Sequence, residues 1–537
     1  MGLLAGLSWL ALSYAGFQIG KFPQAAIDLF ELVTRILPGR LVTFGLELMI
    51  QTLHKLQLGP ISTLGKSVEF AFAYTLAAIL LAALGGLYTI SIHRLSASRN
   101  ARGIAAAVTL AVLASAVSGR GGWGAGGLIG GIIWLFGISL LWGLVLAWGV
   151  ERNLELFEAT EDKSRRKFIY RFAFGSLAAS GLAVLLGRWL SPRSDQQVLE
   201  AGSPTQAATV PIPTRSPTNS GFVPVDGTRL EITPIKDFYR VDINLFPPGQ
   251  EEISRETDNL AKRLRAQGGE IEVPEDSYLL LVEGLVEKPL ALDLQALKSF
   301  PKVDQYATLT CISNPIGGDL IGTTLFQGAR LKDVLEQAAL KPEAVDIKFT
   351  SIDGYTESLP IESVMDPRTL LCYGMDNQPL NSEHGSPVRL YTPNRYGMKN
   401  PKWIIKIEAV NEDYFGYWEA RGWSEQAWVK TTSVIDVVLG ANSGGYEVGG
   451  IAFAGSRGIE KVELRVDEGT WELAQLNRPV SPLTWVLWRA NLMLAPGQHR
   501  LTVRANDKDG ILQIEESTDT YPDGATGYHN MTVNFEE

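Results

Sequence analysis

The sequence predicts a multidomain protein: an N-terminal all-α transmembrane bundle, then an α+β domain, then an immunoglobulin-like β-sandwich. Three observations carry this. Apolar runs near the length of a membrane span recur before residue 190, a Pro-, Ser- and Thr-rich stretch follows them, and short alternating runs fill the chain after residue 435. A chain of 537 residues is also too long for one ordinary core. The expected boundaries are 1–190 for the transmembrane domain, 191–225 for a flexible linker, 226–432 for the α+β domain and 433–537 for the sandwich.

A helix crosses the hydrocarbon layer with about 20 apolar residues. Five segments approach this: 2–20, 68–92, 104–118, 128–150 and 168–190. Five spans put the two termini on opposite sides. Between the first two, Ala26, Leu29, Phe30, Val33, Ile36 and Leu37 recur at helical spacing among Asp28, Glu31 and Arg35. This reads either as a helix in the membrane interface or as a helical hairpin packed on the spans.

Charge bias in the loops orients the bundle only weakly. The last span decides it better, because Ser164, Arg165, Arg166, Lys167, Phe168 and Ile169 precede it. This run is similar to a twin-arginine export signal, with Ile for the usual Leu and Tyr170 for the usual Lys. The other reading is an ordinary anchor with cytoplasmic basic residues. Both make the chain a multi-pass cell-membrane protein, bound to the lipid bilayer, with its C-terminal half extracytoplasmic.

The linker sequence SPTQAATVPIPTRSPTNSGFVP is too polar and Pro-rich to pack a core. Beyond it, strand-like runs at 278–285, 345–351, 388–392 and 403–410 alternate with turn residues, and one helical pattern stands out at 331–340. From residue 435 the period is two throughout: Val462, Leu464 and Val466 alternate with Glu463, Arg465 and Asp467, and Met531, Val533 and Phe535 close the series. About 100 residues of short strands between turns suggest the sandwich.

Composition excludes several functions. The net charge is −10 and no basic run exists, so nucleic acid is not an expected partner. Two cysteines, Cys311 and Cys372, allow one disulfide but no stapled scaffold or zinc ribbon. There is no CxxCH, and His54, His93, His384, His499 and His529 all avoid the middle of a span, so no haem is expected in this chain. Nucleophile-elbow, zincin, phosphate-loop and dinucleotide motifs are missing as well.

What remains is Cys311 in Thr308–Asn314, at the end of a strand-like run and before Gly317 and Gly318. A thiolate there is placed to coordinate a soft metal, although a buried inert Cys fits the residues taken alone better. A second cluster runs from His384 through Arg389 to Lys399 and Lys402, spaced by Gly and Pro. Arg by a bidentate contact and Lys as a point charge suit an anionic phosphate; ordinary surface charge is the alternative.

Taken together, these residues resemble the sulfite oxidase family of molybdopterin enzymes, from about Ile232 to the C-terminus. The matching segments are Asp237-Phe238-Tyr239-Arg240, Gly284-Leu285-Val286 with Pro289-Leu290, TLTCISN, HGSPVR with Lys402-Trp403, Gly422-Trp423 with Lys430-Thr431, and the stretch from Pro522 to His529. The resemblance implies a sulfite-oxidase-type molybdopterin-binding α+β domain, a dimerisation-type sandwich and hence a homodimer. It implies the molybdenum–molybdopterin cofactor, with Cys311 as ligand to the metal, Ser313 and Asn314 beside it, and His384, Arg389, Lys399 and Lys402 holding pterin and phosphate. Tyr239 and Arg240 match an early pterin-contacting segment. Cys372 matches no ligand position.

The implied reaction is oxygen-atom transfer, coupled to an external electron carrier on a cytochrome or quinone pathway. Three positions depart from the family: Pro315 and Asn530 stand where it carries Arg, and Trp423 where it carries the active-site Tyr. Fewer cations weaken binding of a small dianion, since a buried anion needs paired donors. Arg421 is a candidate replacement, as is Lys430. The substrate is therefore expected to be a small oxo-anion such as sulfite or, on the loss of charge, a sulfoxide-like compound. A reading of another class is a cofactor-free, membrane-tethered interaction module acting through the β-sandwich.

Overall fold

The computed structural model describes residues 1–20, 22–56, 61–92, 98–118, 127–158, 162–190, 222–244, 248, 250–266, 278–440 and 445–535. Most of the expected linker, residues 191–221, lies outside them. The chain forms two compact units, one of Met1–Leu37 with Lys66–Ile212 and one of Pro38–Gly65 with Pro213–Glu537.

Among the described residues, seven helices precede residue 191: α1 (Gly2–Gly20), α2 (Ala25–Ile36), α3 (Gly39–Leu56), α4 (Ile61–Ile92), α5 (Arg99–Val117), α6 (Gly127–Glu158) and α7 (Asp162–Leu190). Five of them, α1, α4, α5, α6 and α7, are long and apolar enough to cross a membrane. The first unit is held by Trp9, Leu10, Leu135, Ile138, Trp142 and Leu146, which share one core. Its backbones approach closely through small residues, as expected where lipid gives no hydrophobic drive. A Cβ on Gly143 would sit 2.3 Å from the Gly103 carbonyl oxygen, so only Gly fits between α5 and α6. The indole N–H of Trp9 donates to Ser139 Oγ at 3.1 Å, satisfying a donor that lipid could not.

The sequence allowed a single interfacial helix or a helical hairpin between the first two spans, and the structure has two helices there. Pro38 divides them, and Leu37 before it is extended (φ −61°, ψ 143°), as a residue preceding Pro prefers. Helix α2 buries Ala25, Ala26 and Ile27 in the first unit, whereas α3 belongs to the second.

The second unit continues with α8 (Gln250–Ala266), β1 (Leu279–Gly284), β2 (Leu290–Asp293), α9 (Leu294–Lys298), β3 (Lys302–Thr310), β4 (Ile321–Arg330), α10 (Leu331–Ala338), β5 (Asp346–Ser351), β6 (Thr356–Pro360), α11 (Ile361–Val364), β7 (Leu370–Met375), β8 (Gln378–Pro379), β9 (Arg389–Tyr391) and β10 (Ile404–Val410). One sheet is ordered β2-β1-β10-β5-β6, with β1 parallel to β10. The other is β3-β4-β7-β8, with β9 paired to β7. A shared core of Leu280, Leu281, Val334, Leu335, Phe349, Leu390 and Ile407 joins them.

The four predicted strands and the helix at 331–340 are present. Ala339 in the left-handed region (φ 55°) ends that helix two residues early. Helix α8 was not foreseen, because its many charges masked Ile253, Leu260, Ala261 and Leu264, which recur at helical spacing and are buried.

The last region holds β11 (Thr432–Gly440), β12 (Tyr446–Phe453), β13 (Ile459–Val466), β14 (Glu472–Leu473), β15 (Gln475–Leu476), β16 (Val486–Leu492), β17 (Gly497–Asp507) and β18 (His529–Phe535). They make two four-stranded antiparallel sheets, β11-β12-β16-β15 and β14-β13-β17-β18. Val448 and Trp488 from one sheet and Val462, Leu464, Leu501 and Val503 from the other share a core. The alternate residues stay outside, where Arg504 Nε meets Glu463 at 2.8 Å.

Candidate active site

Strand β3 ends at Thr310, and the chain turns through residues 311–320 into β4. Cys311 N–H donates to Leu320 O at 2.9 Å, and Asn314 N–H to Cys311 O at 3.1 Å. Asn314 Oδ1 in turn accepts the Leu320 N–H at 3.0 Å. The turn needs glycine at Gly317 (φ 80°), where a Cβ would also strike the His529 ring. Cys311 therefore stands at a fixed strand end, with its Sγ 3.0 Å from Ser313 Oγ.

A cleft opens over Cys311. Tyr239, Cys311, Ser313, His384, Arg389, Lys402 and Trp423 all line it, so seven of the predicted site residues come together. Phe238, Asp242, Asp353, Tyr355 and Trp418 join them without having been predicted. Asp242 had no sequence signal: only the fold brings its carboxylate to both Arg240 and Lys402. Neither Cys311 nor Cys372 is in a disulfide.

The cleft lining is chemically mixed. Arg389 is 4 % exposed; its Nη1 donates to His384 O at 3.2 Å and its Nε has no partner. Among the described residues no carboxylate forms an ion pair with it; burial holds its pKa below the usual guanidinium value, and the nearby Asp242 carboxylate only partly offsets this. An unpaired buried guanidinium is costly unless an anion completes it. Lys402 stands nearby, paired with Asp242 and donating to Glu383 O at 3.2 Å. Burial pulls its pKa down to about 8. Cys311 shares the cleft with apolar Leu309, Ile312, Met398, Trp418 and Trp423 and with the hydroxyl groups of Tyr239, Ser313 and Tyr355, and burial pushes the thiol up. Trp423 Nε1 is a second buried donor without a partner.

Four predicted site residues do not reach the cleft. Asn314 closes the cysteine turn instead. Arg240 is paired with Asp242 and with Glu383 at 3.0 Å. Lys399 is turned away into two buried carboxylates, Glu357 at 2.9 Å and Glu419, although its neighbours Gly397, Met398 and Asn400 line the cleft. Arg421 lies over the Tyr417 ring at 3.6 Å and donates to Tyr417 O, so it does not replace the missing substrate arginines. Lys430 is likewise engaged, with Asp523 at 3.2 Å.

His384 accounts for a pH effect. Its Nε2 is 3.2 Å from Ile235 O, and burial with Arg389 and Lys402 close by lowers its pKa from 6.5 to about 4. The unfolded chain therefore binds a proton in this window that the folded one does not, and stability falls as pH drops from about 6.5 to about 4. His384→Gln is expected to flatten that part of a Tm-against-pH curve in cofactor-free protein. An unchanged slope would show that another group sets it.

Among the described residues, no group of three or more His, Cys, Asp or Glu could hold a metal. A metal at Cys311 would need most of its ligands from elsewhere. A dithiolene cofactor supplies such ligands, and a cleft with one thiol, an unpaired buried arginine and spare donors fits a phosphate-bearing pterin. When bound, that group carries two-electron oxygen-atom chemistry.

Comparison with known proteins agrees. Residues 269–418 match the oxidoreductase molybdopterin binding domain and residues 424–534 the Mo-co oxidoreductase dimerisation domain. The chain is 29% identical to the mitochondrial sulfite oxidase of Drosophila melanogaster over 281 residues, covering 42% of this chain and 48% of that one. It is 31% identical to the uncharacterized oxidoreductase YuiH of Bacillus subtilis, covering 29% of this chain and 77% of that one. It is also 31% identical to a protein of Azospira oryzae described as "Putative protein-methionine-sulfoxide reductase subunit YedZ1", covering 28% and 56%. The chain thus spans about half the length of the sulfite oxidases it matches. With its cysteine turn, its buried arginine and both matched domains, the chain belongs to the sulfite oxidase family of molybdopterin-dependent oxidoreductases.

Proposed function

We propose that this protein is a membrane-anchored molybdoenzyme, its catalytic domain outside the cytoplasm, that transfers an oxygen atom to or from a small neutral substrate and exchanges electrons with an external carrier. One observation carries the reading: a buried arginine with an unpaired Nε lines the same cleft as Cys311. In this reading Arg389 binds the cofactor phosphate, with Lys402 adding charge and neutral His384 placed beside them. Cys311 is the protein ligand to the metal, and Ser313 fixes the thiol's direction. Tyr239 and Trp423 wall the reacting end.

The neutral substrate follows from what surrounds Cys311. Sulfite would need several cations there; instead the lining joins apolar Leu309, Ile312, Met398, Trp418 and Trp423 to the uncharged Tyr239, Ser313 and Tyr355, and Arg421 and Lys430 are engaged elsewhere. A sulfoxide needs one or two hydrogen-bond donors rather than paired charges, and the unpartnered Trp423 Nε1 is one. The sulfoxide-reductase description of the Azospira relative points the same way. Assays of purified protein with sulfite and with sulfoxides decide between them: sulfite turnover above sulfoxide turnover would overturn the neutral-substrate reading.

The two C-terminal sheets are read as an immunoglobulin-like sandwich that joins two chains, in line with the matched dimerisation domain. Light scattering of the solubilised protein should give a dimer. Molybdenum-free, pterin-free protein from a host that makes the cofactor would favour the interaction-module reading instead.

For export, Arg165 and Arg166 lie inside α7, and Arg165 donates from Nε to Asn153 Oδ1 at 3.1 Å. Arg165→Lys with Arg166→Lys is expected to leave the catalytic domain in the cytoplasm if the twin-arginine route is used. Normal export in that variant makes the pair an ordinary anchor flank.

A further inference from the structure

Helix α3 lies between two candidate spans in the sequence, yet it forms part of the same compact unit as the catalytic cleft. Leu46 from α3 lines that cleft with Cys311, Trp418 and Trp423. At the start of the helix, a Cβ on Gly39 would lie 2.9 Å from Arg421 Cβ, so the first turn of α3 rests on the short helix Glu419–Arg421 that leads into Trp423.

The helix carries two apolar faces. At 100° per residue, Leu46, Ile50 and Leu53 share one side; Ile50 and Leu53 are buried, at 4 % and 6 % exposure. Leu41, Phe44 and Leu48 share a side well over a third of a turn away, and are 57 %, 63 % and 55 % exposed. An exposed apolar stripe on a soluble lid would be a liability. On a helix tied within five residues of α4, which is apolar enough to span a membrane, it is a face for lipid.

Topology agrees by an independent route. Helices α4, α5, α6 and α7 separate α3 from the catalytic domain. Four crossings are an even number, so both lie on the same side of the membrane whichever way the bundle inserts.

We propose that α3 is the roof of the catalytic cleft. It is a membrane-surface helix whose inner side sets substrate specificity through Leu46 and whose outer side, Leu41, Phe44 and Leu48, rests on the bilayer. The site then takes a neutral oxo compound with an apolar body, drawn from the lipid interface. The roof stands on the geometry alone, whereas its role in specificity rests on the catalytic reading given above.

The test uses the full chain in detergent, carrying Gly39→Cys with Arg421→Cys and a protease site placed within 203–219. After oxidation and cleavage, the two fragments should migrate together without reductant and separate with it, while either single variant separates in both. Separation of the double variant without reductant would overturn the roof. In the loaded enzyme, Leu46→Ala and Leu46→Trp should shift the kcat/KM ratio between a long-chain and a dimethyl sulfoxide in opposite directions, each by roughly tenfold. An unchanged ratio in both removes Leu46 from the specificity wall. Cross-linked fragments in protein that lacks molybdenum keep α3 over the cleft and overturn the catalytic reading instead, so the two failures are distinguishable.

Discussion

Replacing Cys311 by Ser is expected to abolish oxygen-atom transfer and to change the spectrum of any bound molybdenum, while the fold survives. The substitution removes one buried atom's identity and little volume, and the turn that presents it is held by backbone and Asn314 contacts that do not involve sulfur. Stability should therefore move by no more than about 1 kcal/mol. Activity should fall by more than the roughly 10- to 100-fold that changes around a metal ligand typically cost, because the ligand itself is lost. Elemental analysis, metal spectroscopy and turnover, measured on parent and variant together, check this. A variant with parental spectrum and turnover would show that Cys311 is only a buried packing residue.

Arg389→Met carries the second large effect, and its sign differs between two measurements. In the cofactor-loaded protein the guanidinium meets an anion, and removing one partner of a buried charge pair costs about 2–5 kcal/mol. Cofactor retention should weaken by roughly 30- to several thousand-fold, read as pterin and molybdenum remaining after gel filtration. In the cofactor-free protein the same change removes a buried charge with no ion-pair partner among the described residues and a donor with no partner. That protein should become more stable, by about 1–4 kcal/mol, read as a higher Tm. Lost pterin together with raised apoprotein stability separates a binding residue from a structural one. Loss of both pterin and apoprotein stability would mean that Arg389 holds the fold, and full pterin retention would remove it from the cofactor site.

The residues of the cleft were unequally legible. Cys311, His384 and Arg389 sit in short segments whose order and spacing resemble a known family, and the fold brings all three to one cavity. Lys399 and Arg421 had the right charge and the right neighbourhood in sequence, but charge does not say where a long side chain turns. Glu357 and Glu419 take the first, and the Tyr417 ring takes the second. Asp242 and Leu46 were invisible for the opposite reason, since a lone carboxylate and a lone leucine carry no pattern until a distant segment gives them a partner.

By itself, the sequence determined the local things: which helices are apolar enough to cross a membrane and which later segments alternate as strands. These follow from periodicity and composition, which act over one or two turns of chain. Only the tertiary structure decided that α3 leaves the helical unit for the catalytic one, that α8 is a buried helix despite its charges, and which cations face the cleft. Those outcomes depend on contacts between residues far apart in sequence, where burial and pairing outweigh any local preference.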